Sequence, residues 1–376
     1  MRIKTLFIYL SILFFFSNCA PQENNQRPEN DEGITVASMA DAGIDSTVIN
    51  KIDTAITNGT YPNIHSLLIA RNNKLVYEHY WPGKDESWGQ DLGIRVQAKD
   101  SLHDIRSISK SVVSACVGIA IQQGKIKSTD QRVFDFFPEY KKLDTGLISS
   151  LTIKHLLTMS SGLVWNEEVP YDNPENSEIR MIRSPNPIEY VLSQPMEFPP
   201  GISWKYNGGT TQLLAAIIEK TTGKKIDDFA KEYLFQPLGI TRSEWIKYPG
   251  TDLPAAASAL RLRSRDLLKF GLLYNQNGVW QGKEIIDPKW IEESFQSHVQ
   301  RPGGGSYGYQ FWLWQDTIKN KPVPMVACIG NGDQRIFIDK TNDLVVVTNA
   351  GNYNKWDIEN DAYALLLGYV YPALTK

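Results

Sequence analysis

The sequence is short of the residues that staple small secreted folds or hold metals. It has three cysteines in 376 residues: Cys19, Cys116 within an apolar run, and Cys328 in a strand-like run. Three scattered thiols give no disulfide framework. The five histidines, at 65, 79, 103, 155 and 298, show no H-x-x-x-H pair and no acidic partner at ligand spacing, so no metal is expected. Cationic excess is also missing, with 39 Lys and Arg against 42 Asp and Glu and a formal net charge of −3. That balance excludes nucleic acid as a natural partner. No internal repeat is present, and the most apolar stretch, Leu6 to Phe16, is too short to span a bilayer.

That stretch follows Arg2 and Lys4 and has the length of a signal-peptide core, so residues 1–18 read as an export signal. Its loss takes the formal charge from −3 to −5. Cys19 sits where a bacterial lipoprotein signal is cut and acylated, although Asn18 departs from the small residue usual before that cysteine. The expectation is an exported, cell-envelope protein tethered to a membrane through Cys19. Residues 19–44, polar with Pro21 and Pro28 near their start, are expected to be a flexible tether.

The chain as a whole is 42 % hydrophobic and 22 % charged, and the remainder, 45–376, is long enough for a large core. Apolar segments His65–Ala70 and Leu75–Tyr80 flank Arg71-Asn72-Asn73-Lys74 and predict a hairpin. Strand signals then stop until Tyr307–Trp314, Val323–Ile329, Arg335–Asp339 and Leu344–Asn349, with a last helix expected from about Trp356 to Tyr369. Between them, helical patterns cover Ile153–Met159, Pro187–Leu192, Gln212–Lys220, Asp227–Leu234, Ser264–Tyr274 and Pro288–Ser294. An antiparallel sheet built from both ends of the chain, flanked by helices and carrying a helical insert over about residues 125–300, is an α+β architecture with a cleft where the parts meet.

Chemistry enters at Ser107-Ile108-Ser109-Lys110, which opens a run apolar on nearly every face from Val112 to Ile121 and closes at Gly124. A helix over 107–123 places Ser107 and Lys110 as i and i+3 neighbours. A hydroxyl needs an adjacent base to become a nucleophile, and a lysine serves only where burial favours its neutral form. The helix start also aims N–H groups at a developing oxyanion. Alone, four residues with two common types also fit a capping serine beside a surface lysine. The buried character of the run favours the catalytic reading, acyl transfer.

Ser107-Ile108-Ser109-Lys110, then Leu156-Leu157-Thr158-Met159-Ser160-Ser161-Gly162-Leu163, then Pro199-Pro200-Gly201 leading to Trp204-Lys205-Tyr206-Asn207-Gly208-Gly209, resemble the serine β-lactamase-like hydrolases. That group includes class C β-lactamases, DD-peptidases, esterases and 6-aminohexanoate-dimer hydrolases. Segments 265–271 and 307–312 carry the likeness further, and it runs over about 45–370. The resemblance implies a β-lactamase/transpeptidase-like fold, no cofactor, a small-molecule or peptide substrate, Ser107 as nucleophile, Lys110 as proton shuttle and Tyr206 as the phenol working with it. The family's Tyr-x-Asn is altered here: position 208 is Gly and Asn207 is the nearest amide for a substrate carbonyl. The third motif, usually Lys-Thr-Gly or His-x-Gly, aligns at Asn331-Gly332-Asp333 and lacks its cation. Asp333 there would repel an anion, which predicts weak or no β-lactam turnover. The N–H of Gln334 with that of Ser107 is the expected oxyanion hole.

Two rival readings have less support. Gly304-Gly305-Ser306-Tyr307-Gly308 matches the nucleophile-elbow pattern but lacks a following helix and any histidine beyond His298. A non-catalytic, cell-envelope peptide- or muropeptide-binding protein would be expected to lose one of Ser107, Lys110 or Tyr206, and all three are kept. Of the ten tryptophans, with Trp165, Trp204, Trp312 and Trp314 near the family motifs, most are expected in the core rather than lining an apolar acyl or aryl pocket.

Overall fold

A computed structural model describes residues 30–355 and 360–375. Cys19 and the proposed signal lie outside the described residues. The centre is an antiparallel eight-stranded sheet in the order Val299–Gln300, Ser306–Tyr307, Trp312–Ile318, Lys321–Gly330, Gln334–Asp339, Leu344–Ala350, Ile64–Arg71, Lys74–Tyr80. The pairing of Leu344–Ala350 with Ile64–Arg71 joins the two ends of the chain. Among the described residues no helix is long and apolar enough to cross a membrane.

Side chains alternate across the central strands, and both faces are covered. Leu68, Ala70, Ile336, Ile338, Val345 and Val347 enter one core with the helices Ile108–Gln122, Gly208–Thr222 and Ser264–Asn275. Leu67, Ile69, Phe337, Leu344 and Val346 enter the other, beneath helices at 46–57 and 361–373. Burial on both faces explains why these strands read as continuous apolar runs.

Helix Ile108–Gln122 lies inside the first core and is buried from Ile108 to Ala120. Gly118 allows this depth, because a Cβ there would stand 2.5 Å from Cγ of Trp290. Helix Gly208–Thr222 is capped by Asn207 and ends at Gly223, whose φ of +74° a Cβ would disfavour. Ser264–Asn275 packs on the sheet, with Gly271 against Val345.

Three sequence expectations change. The insert is not purely helical, since short strands at Glu244–Trp245 and Leu260–Leu262 pair with each other, and the second also pairs with His103–Asp104. Tyr307–Trp314 breaks at 308–311 into two strands. Within the expected tether, residues 30–44 are docked: Ile34 is buried in one core and Ala42 and Ile44 in the other, while Asp31 meets Arg265 at 2.8 Å. Their apolar side chains and one buried cation hold this stretch to the domain.

Candidate active site

Ser107 precedes the first turn of Ile108–Gln122 in a helical conformation, and its side chain caps nothing. Before it, Arg106 adopts φ +48°, a left-handed conformation that costs a non-glycine residue about 1 kcal/mol or more. That turn is held by Asp104, whose carboxylate accepts from the Arg106 N–H at 3.1 Å and from the Trp88 N–H at 2.7 Å. Arg106 also pairs with Glu86 and stacks 4.7 Å from the Tyr353 ring centre. Strain at the residue before the serine is thus fixed by surrounding contacts.

One turn on, Lys110 is only 1 % exposed. Its Nζ donates to Ser107 Oγ at 3.0 Å and to the Ala257 carbonyl at 2.8 Å. It also stands 4.8 Å from the centre of the Tyr206 ring. The three residues singled out by sequence therefore converge. The Ala257 carbonyl is itself positioned, because Gln212 Oε1 accepts from the Ala256 N–H at 3.0 Å and from the Tyr248 hydroxyl at 2.9 Å. No side-chain pattern announces a backbone carbonyl, so sequence reasoning missed it.

Tyr206 leads into helix Gly208–Thr222 and rests among Trp204 and Trp312, with ring centres 6.2 and 5.7 Å away. Gln310 links the family segments. Its carbonyl accepts from Ser111 Oγ at 2.7 Å, its Oε1 accepts from Thr211 Oγ1 at 3.1 Å, and its amide donates to the carbonyls of Leu156 and Leu157, each at 3.0 Å. One buried amide thereby ties together the serine helix, the tyrosine helix and the Leu156–Leu163 segment.

Asn207 does not reach the cleft. It is 1 % exposed, and its carbonyl oxygen accepts from the Thr210 N–H at 3.2 Å as a helix cap. The space beside Gly208, where an asparagine side chain would begin, is occupied by Glu167: a Cβ on Gly208 would lie 3.0 Å from Glu167 Oε1. Glu167 accepts from the Gly208 N–H and from Trp165 Nε1, and Tyr171 donates to its other oxygen at 3.3 Å. Burial, then the charge of neighbouring Glu178, pushes the Glu167 carboxyl up to about 7, while Lys110 opposes the rise. Glu178 accepts from Ser258 Oγ at 2.8 Å, next to the lysine's carbonyl partner. The Gly in place of Asn was the available signal for a substitute polar group.

The third motif also shifts. Gly332 and Asp333, with φ of +85° and +72°, form the turn between Lys321–Gly330 and Gln334–Asp339. Gly332 packs on Tyr353, where a Cβ would come within 2.6 Å of the ring. Asp333 is fully buried, accepting from the Ala362 N–H at 2.7 Å and pairing with Arg335 at 3.1 Å. It faces away from the cleft and cannot repel a ligand there. Gln334 is likewise buried, donating to the Gly332 carbonyl at 3.0 Å, and its backbone pairs with Gly330. The residues that do line the cleft with Ser107 and Tyr206 are Ile329 and Asn331, and Gly330 packs against Ile105 and Arg106. The motif thus sits about three residues earlier than aligned, with fully buried Cys328 at its start. The missing cation stands.

Two adjoining cavities meet at Ser107. One, of about 420 Å³, is lined by Trp88, Arg106, Tyr171, Glu178, Ile182 and Arg183 among others. The second, of about 250 Å³, runs past Glu167, Tyr206 and Trp312. Of the four tryptophans near the family segments, Trp312 lines this cleft, whereas Trp314 packs against Phe337 and Tyr363 on the other core.

The chain is similar to several known proteins. An uncharacterised protein of Alkalihalophilus pseudofirmus is 27 % identical over 59 % of this chain and 61 % of its own length, so this chain spans less than two thirds of that relative. The 6-aminohexanoate-dimer hydrolase of Paenarthrobacter ureafaciens is 25 % identical over 75 % of this chain and 71 % of its own. The solved class C β-lactamase of Rhodobacter sphaeroides shares the fold with a TM-score of 0.63 at 16 % identity, covering 87 % of this chain and 99 % of that one. The Beta-lactamase family model matches residues 63–368, the span that carries the sheet, the serine helix and the tyrosine, and the chain belongs to that family.

Proposed function

We propose that the protein is a hydrolase of esters or amides that works through an acyl-enzyme on Ser107. The observation that carries this reading is the buried Lys110 Nζ, 3.0 Å from Ser107 Oγ and beside the Tyr206 ring. Ser107 Oγ attacks the carbonyl carbon as its proton passes to the Lys110–Tyr206 pair. The tetrahedral oxyanion is received by the N–H groups of Ser107, at the helix start, and Asn331, in place of the expected Gln334. The phenol returns the proton to the departing alcohol or amine. Water then enters by the reverse route and frees the acid.

The cleft also supports a preference among substrates. The first cavity carries Glu86, Asp172 and Glu178 against Arg106 and Arg183, and Arg106 is already paired with Glu86 and Asp104. Neutral or cationic acyl groups suit it better than the carboxylate of a β-lactam. Trp88, Ile179 and Ile182 add apolar surface for the acyl or leaving group.

The test is labelling with a fluorophosphonate probe. Wild type is expected to label and turn over p-nitrophenyl esters, and Ser107→Ala to do neither while keeping its circular-dichroism spectrum. A folded wild type that neither labels nor turns over any ester or amide in a panel would leave a binding protein in place of a hydrolase. Export and acylation at Cys19 are part of the same proposal; palmitate incorporation lost in Cys19→Ser is the expected result.

A further inference from the structure

Behind the strained turn at Arg106, the strands Ile64–Arg71, Gly83–Ser87 and His103–Asp104, the second of them in a stretch where the sequence shows no strand signal, bring together His65, Asp85 and His103, which are 0, 4 and 2 % exposed. Their candidate ligand atoms all lie within 4.8 Å of one another. His65 Nδ1 and His103 Nε2 face each other at 2.8 Å, and Asp85 Oδ1 is 3.6 Å from the latter. The cluster takes no part in the chemistry at Ser107.

The hydrogen bonds around it fix which nitrogens carry protons. Asn63 has its amide orientation set, because its Nδ2 donates to the Lys84 carbonyl at 2.9 Å and its Oδ1 accepts from the Lys84 N–H at 2.8 Å. That same Oδ1 is 3.2 Å from His65 Nε2, so Nε2 must be the donor and Nδ1 keeps its lone pair. In His103, Nδ1 is 3.1 Å from the Asp104 carbonyl and must donate, which leaves the lone pair on Nε2. The Tyr353 hydroxyl, 3.4 Å from His103 Nδ1, is nearer to Asp85 Oδ1, at 3.2 Å. Two neutral imidazoles therefore point lone pairs at each other beside a buried carboxylate. Such an arrangement repels unless something electron-poor lies between.

We propose that His65, His103 and Asp85 bind a zinc-type divalent transition cation that fastens the segment leading into Ser107. Two imidazole nitrogens and one carboxylate oxygen form a donor set suited to zinc, and each ring gives its other N–H to an oxygen, as metal-bound histidines do. Tetrahedral coordination with bonds of about 2.0–2.1 Å sets two nitrogens about 3.3 Å apart, so the rings need to part by about half an ångström. The cradle is built for these groups. A Cβ at Gly83 would lie 2.4 Å from His65 Nε2, and one at Gly351 would lie 2.3 Å from Asn63 Nδ2. A surface cavity of about 160 Å³ lined by Lys84, Asp85 and Tyr353 reaches the carboxylate side of the cluster. His103 lies four residues before the serine, and Tyr353, which touches Asp85, stacks on Arg106. A bound cation would therefore stiffen the turn that presents Ser107.

The experiment is zinc titration of the full chain after dialysis against a chelator, read by calorimetry and thermal unfolding, with cobalt(II) absorption as a report of coordination. One zinc per chain is expected, with Tm raised by about 4 °C at a hundredfold excess over Kd. Visible d–d bands are expected with cobalt. His103→Gln and Asp85→Asn should each weaken binding at least about tenfold, whereas His298→Gln should leave it unchanged. Should either variant fail to fold, the wild-type stoichiometry and cobalt spectrum still decide. Absent stoichiometric binding, or binding equal in wild type and Asp85→Asn, would overturn the proposal and make the cluster a ring-to-ring hydrogen bond.

Discussion

Replacing Glu167 by glutamine tests whether the carboxyl beside Gly208 is held against its own ionisation. Burial and the Glu178 charge raise it from an ordinary 4.5 to about 7. In the unfolded chain the same group loses its proton near 4.5, so between these values the native state binds more protons than the unfolded one. Its contribution to stability is whole below 4.5 and is lost as pH rises through 7. A rise of about two and a half pKa units corresponds to about 3 kcal/mol. The amide of Glu167→Gln cannot ionise, yet its carbonyl oxygen can still accept from the Gly208 N–H and Trp165 Nε1. Urea unfolding of both proteins from about pH 4 to about pH 9 measures the difference. The variant should match the wild type at the acid end and exceed it by up to about 3 kcal/mol, or about 4 °C in Tm, at the alkaline end. Asp104, another buried carboxyl pushed up to about 7, titrates in both proteins and cancels in the difference. A difference that stays constant across the range, or a wild type that gains on the variant at high pH, would refute the reasoning.

Other consequences are open to direct measurement. Tyr206→Phe keeps the ring among Trp204 and Trp312 but removes the phenol, so kcat should fall about 10²- to 10⁴-fold with Tm nearly unchanged. Gly118→Ala should gain about 1 kcal/mol of helix propensity and lose more to the clash with Trp290, for a net loss of about 1–2 kcal/mol by chemical denaturation. Nitrocefin should be cleaved at least roughly 100-fold less efficiently than a p-nitrophenyl ester, because no cation stands at the third motif to meet the drug's carboxylate; rapid cleavage would show that reading to be wrong.

The strands and long helices were legible because burial on two faces writes continuous apolar runs, and burial of a helix all round writes the run after Lys110. Helix Pro187–Leu192 and helix Pro288–Ser294 match the helical patterns expected there to the residue, and the structure shows each opening on a proline behind a capping side chain, Asn186 and Asp287. Ser107, Lys110 and Tyr206 stood out because a side chain of definite chemistry occupied each position. The Ala257 carbonyl carried no such mark. Asn207 and Asp333 were placed at the cleft because polar residues beside a motif look available, whereas both are consumed by caps or turns that the backbone requires; Gln334 was named for its N–H through an alignment that runs late, since Asn331 is the residue that lines the cleft. The histidine cluster escaped because spacing rules see ligands close in sequence, and strand pairing gathers His65, Asp85 and His103 from far apart.

The pairing of Ile64–Arg71 with Leu344–Ala350 also governs the order in which the molecule can be born. A nascent chain that has emerged only through the helical insert holds its first hairpin with one long edge unpartnered, and a lone hairpin is barely stable in water. Ile108–Gln122 likewise has no completed sheet to lie on until the final strands leave the ribosome. Assembly is therefore a late, collective event, slowed by the closure of a very long loop. Until then Leu67, Ile69 and their neighbours have no core to enter.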